Sequence, residues 1–234
     1  MKNYLKFITV ASVAGSLATL SAAEISGKVK LEGKPPAETK ADPGQLCGPN
    51  PKPLATRHYV VSADGSLANV FVYIKNPPQK KYDAPATVAE LDQTDCQYQP
   101  FISAVQVGQK LKIKNSDSFM HNVNTSASRF RTHQFNIAQP SKGMEATKTF
   151  DNPELPLKFL CNVHQWMISY LAIFDHPFYA VTDKDGNFKI ANLPAGKYTL
   201  VVKHMKAGEA TQEITVADGE KKSANFTLKV PPPQ

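Results

Sequence analysis

Cys161-Asn162-Val163-His164-Gln165-Trp166-Met167 places a thiol, an imidazole and a thioether within seven residues. One short loop can turn all three side chains toward a common point. The flanks are strand-like. Leu157 to Leu160 delivers the cysteine, and the β-rich run Ile168 to Phe174 leaves the loop. Forty residues upstream, a turn at Asn115-Ser116-Asp117-Ser118 precedes Met120-His121-Asn122-Val123, where His121 offers a second imidazole. The segment before it alternates Leu111 and Ile113 with Lys110, Lys112 and Lys114, the period of two of a half-buried strand.

Two histidines, one cysteine and a weak methionine form the ligand set of a mononuclear copper centre that passes single electrons. The soft thiolate stabilises copper, the imidazoles suit Cu(I) and Cu(II) alike, and a distant thioether tunes the potential. The expected ligands are therefore His121, Cys161, His164 and Met167, holding one Cu(I)/Cu(II) ion. Zinc is disfavoured because methionine is a poor zinc ligand. A thiol hydrolase built on Cys161 with His121 or His164 lacks a residue to orient the histidine and an oxyanion-hole motif. A copper carrier or sensor shares every ligand and is the competing reading. His133, in a loop with Arg129 and Arg131, is expected at the surface; His58, His176 and His204 are expected to be structural or exposed.

From Pro100 to Phe174 the chain resembles the cupredoxins, in the plastocyanin and amicyanin pattern. The resemblance rests on Val107-Gly108-Gln109-Lys110-Leu111-Lys112-Ile113-Lys114-Asn115, on His121-Asn122-Val123, and on the Cys161–Met167 loop with two residues on each side of His164. It implies a Greek-key β-sandwich and an electron carrier rather than an enzyme. It also implies that Asn122 restrains the ligand loop and that the edge of His164 lies near the surface. A cytochrome c or a copper oxidase is the partner class by analogy. Met120 stands where the family often has proline, which makes it a minor rival to Met167; Val163 also replaces a proline. Trp166 either packs under the ligand loop or joins a docking patch.

The stretch Ile168 to Val230 is similar to transthyretin-like and carboxypeptidase-regulatory-like modules. The similarity rests on Thr182-Asp183-x-Asp185-Gly186-x-Phe188 and Leu193-Pro194-x-Gly196-x-Tyr198. That signature is structural and assigns no activity. Asp183 to Gly186 reads as a hairpin turn between Tyr179–Thr182 and Asn187–Ile190. The whole is expected to be all-β: a Greek-key cupredoxin sandwich (24–175) followed by a small second β-sandwich (176–230) and a tail (231–234). The early strand Ile25 to Leu31 fits either module. The stretches 35–53 and 77–94 read as proline-broken loops.

Residues 1–23 read as a secretory signal: Lys2 and Lys6, an apolar run from Phe7 to Leu20, then small residues before Glu24. That run is too short to span a bilayer, which needs roughly 20 residues. A periplasmic or secreted protein without stable membrane insertion follows. The formal charge of +7 includes both signal lysines, and the remaining scattered lysines argue against nucleic acid. Three cysteines allow three pairings. If Cys161 binds metal, the bridge is Cys47–Cys96, worth roughly 4 kcal/mol in the chain-entropy model.

Overall fold

The computed structural model describes residues 22–48 and 52–232. The expected signal segment lies almost wholly outside them. Among the described residues no helix is long and apolar enough to cross a membrane.

Among the described residues the chain is all-β, with two short 3-10 turns at Gly44–Cys47 and Arg131–His133. Its strands form two sandwiches, apart from Lys40–Ala41 and Leu54–Ala55, which pair only with each other. In the first, a five-stranded sheet runs in the order Asn136–Gln139, His121–Asn124, Glu154–Leu160, Ile168–Phe174, Ile102–Gln106. The facing four-stranded sheet runs Glu145–Lys148, Leu111–Asn115, Ala89–Thr94, Gln97–Gln99. Leu91, Leu111 and Ile113 from one sheet meet Val123, Leu157, Phe159 and Leu171 from the other in one buried cluster. The alternation along Leu111–Asn115 works as its period requires. Lys112 and Lys114 point outward and pair across neighbouring strands with Glu90, Asp92 and Glu145.

The second sandwich pairs Tyr179–Val181, Phe71–Ile74, Gly196–His204 and Gly208–Val216 in one sheet. Its other sheet centres on Ala23–Glu32, flanked by Asn187–Leu193 on one side and by Lys221–Ser223 and Phe226–Lys229 on the other. Strand pairing thus cuts across the division expected at 175/176. The strands Ala23–Glu32 and Phe71–Ile74 belong with the C-terminal strands, because Ile25, Val29, Val70, Val72 and Ile74 bury against Phe188, Leu200 and Phe226. Gly27 makes this closure possible: a Cβ there would lie 1.7 Å from the carbonyl oxygen of Ala224. A smaller apolar cluster, Phe71, Ile102, Ala172 and Phe174, joins the two sandwiches.

Several expectations change. The turn at Asp183–Gly186 forms, with Gly186 N–H donating to Asp183 O, but its flanking strands enter different sheets. The region 77–94 ends in a true strand, Ala89–Thr94, paired in parallel with Leu111–Asn115. Its alternation is masked by Glu90, Asp92 and Gln93, the last buried and bonded to Lys114 O.

Candidate metal centre

Two adjacent strands of the five-stranded sheet present the loop. Cys161 follows directly on Glu154–Leu160, and Met167 directly precedes Ile168–Phe174. Met167 N–H donates to His164 O at 2.8 Å and Cys161 N–H to Met167 O at 3.2 Å, so the loop folds back on itself. His121 opens the next strand, which meets the cysteine strand where Leu160 pairs with Asn124. The buried Asn115 shapes the approach to His121. Its amide donates to Phe119 O and Gln139 O, each at 2.9 Å, and its oxygen accepts from Asp117 N–H at 2.9 Å.

The structure brings His121, Cys161 and His164 together. Their ligand atoms lie within 4.8 Å of one another, with the two Nδ1 atoms 3.0 Å apart and Cys161 Sγ 3.6 Å from His164 Nδ1. All three side chains are buried. Met167 is buried in the same core cluster as Cys161, whereas Met120 is 46% exposed.

The outer ring nitrogens decide the tautomers. His121 Nε2 faces Asp117 Oδ2 at 2.9 Å, and His164 Nε2 faces the Leu46 carbonyl at 3.3 Å. Both partners only accept, so each Nε2 carries hydrogen and both Nδ1 atoms face inward, toward each other and toward Cys161. Burial pushes the Cys161 thiol up. Hydrogen bonds from His121, His164 and the backbone amides of Asn122 and His164 overcome this and bring it down to about 5. His121 is raised: burial opposes its charge, but Asp117 and Cys161 outweigh it. Two Nδ1 atoms 3.0 Å apart beside a thiolate need a positive charge between them, a shared proton or a metal ion.

A transition ion fits that need. Nitrogen and sulfur ligands stand about 2.0 to 2.3 Å from such an ion, so ligands sharing one ion lie about 3 to 4 Å apart. One thiolate with two neutral imidazoles is a soft donor set that suits copper.

Around this centre Asn122 acts as a tie. Its Oδ1 accepts from Asn162 N–H at 2.7 Å and lies 3.4 Å from Cys161 Sγ, while its amide donates to Asn136 at 2.7 Å. Trp166 packs half-buried against the core, its ring 5.3 Å from that of His164, and donates to Cys96 O at 3.2 Å. Sequence reasoning missed Asp117. It also accepts from Asp95 N–H and Cys96 N–H at 2.9 Å each; its position four residues before His121 was the available signal.

Two expectations fail here. The edge of His164 is not near the surface, for the residue is 1% exposed beneath the turn Gly44–Cys47. That turn is bridged by Cys47–Cys96, Cα atoms 5.8 Å apart, which leaves Cys161 as the free cysteine. His133 is also fully buried, because Glu154 and Asp151 bond its two ring nitrogens at 2.8 and 2.9 Å. Sequence-distant carboxylates make that burial possible.

No curated protein sequence matches the chain. Among solved structures it is similar to a copper-containing nitrite reductase from Thermus scotoductus SA-01, at 14% identity and TM-score 0.33, covering 43% of this chain and 27% of that one. It is similar to a purple cupredoxin from Nitrosopumilus maritimus, at 21% identity and TM-score 0.31, covering 36% and 98%. Amicyanin, as a methionine-to-alanine mutant in the Cu(I) form, gives 17% identity, TM-score 0.32, and 44% and 97% coverage. Residues 174–229 match the family model of the carboxypeptidase regulatory-like domain, within the stretch where the turn signatures of the second sandwich occur.

Proposed function

We propose that this protein is an exported copper protein that carries single electrons, with one ion held by His121, Cys161 and His164 and tuned by Met167. The observation that carries the reading is the convergence of a low-pKa thiolate and two inward-facing Nδ1 atoms at buried positions. When bound, copper supplies a one-electron Cu(I)/Cu(II) couple. The chain's residues do the rest. Asp117 and the Leu46 carbonyl fix the ring tautomers, and the closed loop and Asn122 hold the thiolate in place. Burial on a rigid β scaffold excludes water and keeps one geometry for both oxidation states. A soluble redox protein of the cytochrome c or oxidase kind is the partner class.

The covered edge of His164 favours one rival, a copper carrier or sensor with no electron-transfer role. The deciding experiment adds Cu(II) to the mature protein and records absorption and electron-spin-resonance spectra, followed by voltammetry. An intense visible thiolate-to-copper band, a mononuclear signal and a reversible wave support the electron carrier. Cys161→Ser removes the band. Survival of the colour in that variant would overturn the ligand assignment, and copper bound without a reversible wave would favour the carrier.

A further inference from the structure

The Cys47–Cys96 bridge lies against His164. The sulfur atoms of Cys47 and Cys96 and a ring nitrogen of His164 all fall within 4.8 Å of one another, just as the ligand atoms of His121, Cys161 and His164 do. His164 is common to both groups, and an imidazole has two ring nitrogens to offer.

Cys96 is buried and Cys47 is partly covered. A groove walled in part by Lys52, Asp95 and Phe119 reaches both cysteines. Cys96 sits in a two-residue turn in which Asp95 and Cys96 hold φ of 52° and 55°. For residues other than glycine this backbone costs about 1 kcal/mol or more. The Asp117 carboxylate holds the turn through both amides, and the same carboxylate meets His121. The bridge is thus tied to both histidines of the centre, through Leu46 on one side and Asp117 on the other.

We propose that Cys47 and Cys96, once reduced, form with His164 a second metal site, a loading port that takes up Cu(I) and passes it to Cys161. The reductant is a dithiol protein. Its thiolate attacks one sulfur of the bridge, the S–S bond breaks, and its second thiol resolves the mixed disulfide. Two electrons and two protons pass to Cys47 and Cys96, and the partner leaves as a disulfide. Cu(I) binding then displaces the thiol protons and the Nε2 proton of His164 to solvent, and thiolate ligands select this ion. His164 is the shared ligand as the ion moves on, after which the port thiols and Nε2 regain protons from solvent. Exchange with an oxidised partner of the same class re-forms the bridge and carries the two electrons away. The loading role rests on the copper reading above; the second site does not.

Anaerobic titration with Cu(I) against a chromophoric chelator tests this, using mature protein before and after reduction by a phosphine that is then removed. Wild type is expected to take one equivalent when oxidised and two when reduced. The double variant Cys47→Ser, Cys96→Ser should take one in either case. Cys161→Ser should take none when oxidised and one when reduced, and adding His164→Asn to it should weaken that ion at least tenfold. A single equivalent in reduced wild type, no gain on reducing Cys161→Ser, or unfolding of the reduced apoprotein by circular dichroism overturns the proposal. If oxidised wild type takes no copper while reduced Cys161→Ser still gains one ion, the electron-carrier reading fails and the second site stands. Loading of the Cys161 centre at least tenfold faster in the reduced chain is expected; equal rates overturn the port.

Discussion

His164 Nε2 lies 3.3 Å from the carbonyl oxygen of Leu46, a residue 118 positions earlier in the chain. That contact turns an edge that would otherwise meet solvent into a buried one. Leu46 itself is 56% exposed, so its side chain forms the outer surface while its backbone meets the imidazole. Among the described residues, this turn and the cystine beside it cover the centre on the His164 side. Azide or imidazole added in millimolar excess is therefore expected to leave the copper spin-resonance spectrum unchanged. A new hyperfine pattern on addition would show that the turn Gly44–Cys47 does not close the site.

Asp117 accepts three hydrogen bonds, from Asp95, Cys96 and His121. Burial opposes its charge, but the His121 bond and the two amides prevail and hold the carboxyl below the ordinary carboxylate range. Asp117→Ala orphans all three donors, at a cost of about 2 to 3 kcal/mol in urea unfolding. It also frees the His121 ring, and loss of such an outer partner typically weakens metal affinity about 10- to 100-fold. Asp117→Asn keeps an acceptor and should fall between. Unchanged copper affinity in Asp117→Ala would remove the carboxylate from any role in orienting His121.

Met167 lies buried in the same core cluster as Cys161, in the first sandwich. Leucine has similar volume, so Met167→Leu should cost less than about 1.5 kcal/mol. Loss of a thioether donor withdraws electron density from the metal, so Cu(I) gains relative to Cu(II) and the reduction potential rises. Voltammetry reads the shift. Loss of copper altogether would make Met167 a strong ligand, and an unmoved potential would make it a packing residue only.

The sequence made the centre easier to read than the sheets around it. Cys161, His164 and Met167 sit in one loop, so their convergence follows from local spacing. His121 is marked by the strand pattern before it. The covering of His164 was not legible, because it depends on a turn more than a hundred residues away and on which cysteines pair. The burial of His133 was hidden likewise, since it needs Glu154 and Asp151 from a distant segment. Ala23–Glu32 shows its strand character plainly, but its partners Lys221–Ser223 and Phe226–Lys229 lie at the other end of the chain. Local alternation cannot choose between two sandwiches that both offer an apolar face.

The second sandwich carries its own pH dependence at His204. This residue ends the strand Gly196–His204, and its Nδ1 accepts from Ala207 N–H at 3.0 Å and Lys206 N–H at 3.3 Å across the turn to Gly208–Val216. Burial pushes the imidazole down to about 4, helped by His58 and opposed by Glu38. A protonated ring would lose its acceptor and place a charge in the core. The unfolded chain binds this proton near pH 6.5 and the folded chain only near 4. Unfolding therefore takes up a proton between those values, and stability falls as pH drops through that window. The gap corresponds to about 3 kcal/mol when fully expressed, most of it lost by about pH 4.5. His204→Asn keeps an acceptor for the turn and removes the titration. Urea unfolding of both proteins from about pH 7 to 4.5 should show wild type losing about 2 to 3 kcal/mol more than the variant. Parallel profiles would mean that His204 titrates alike in the folded and unfolded chains.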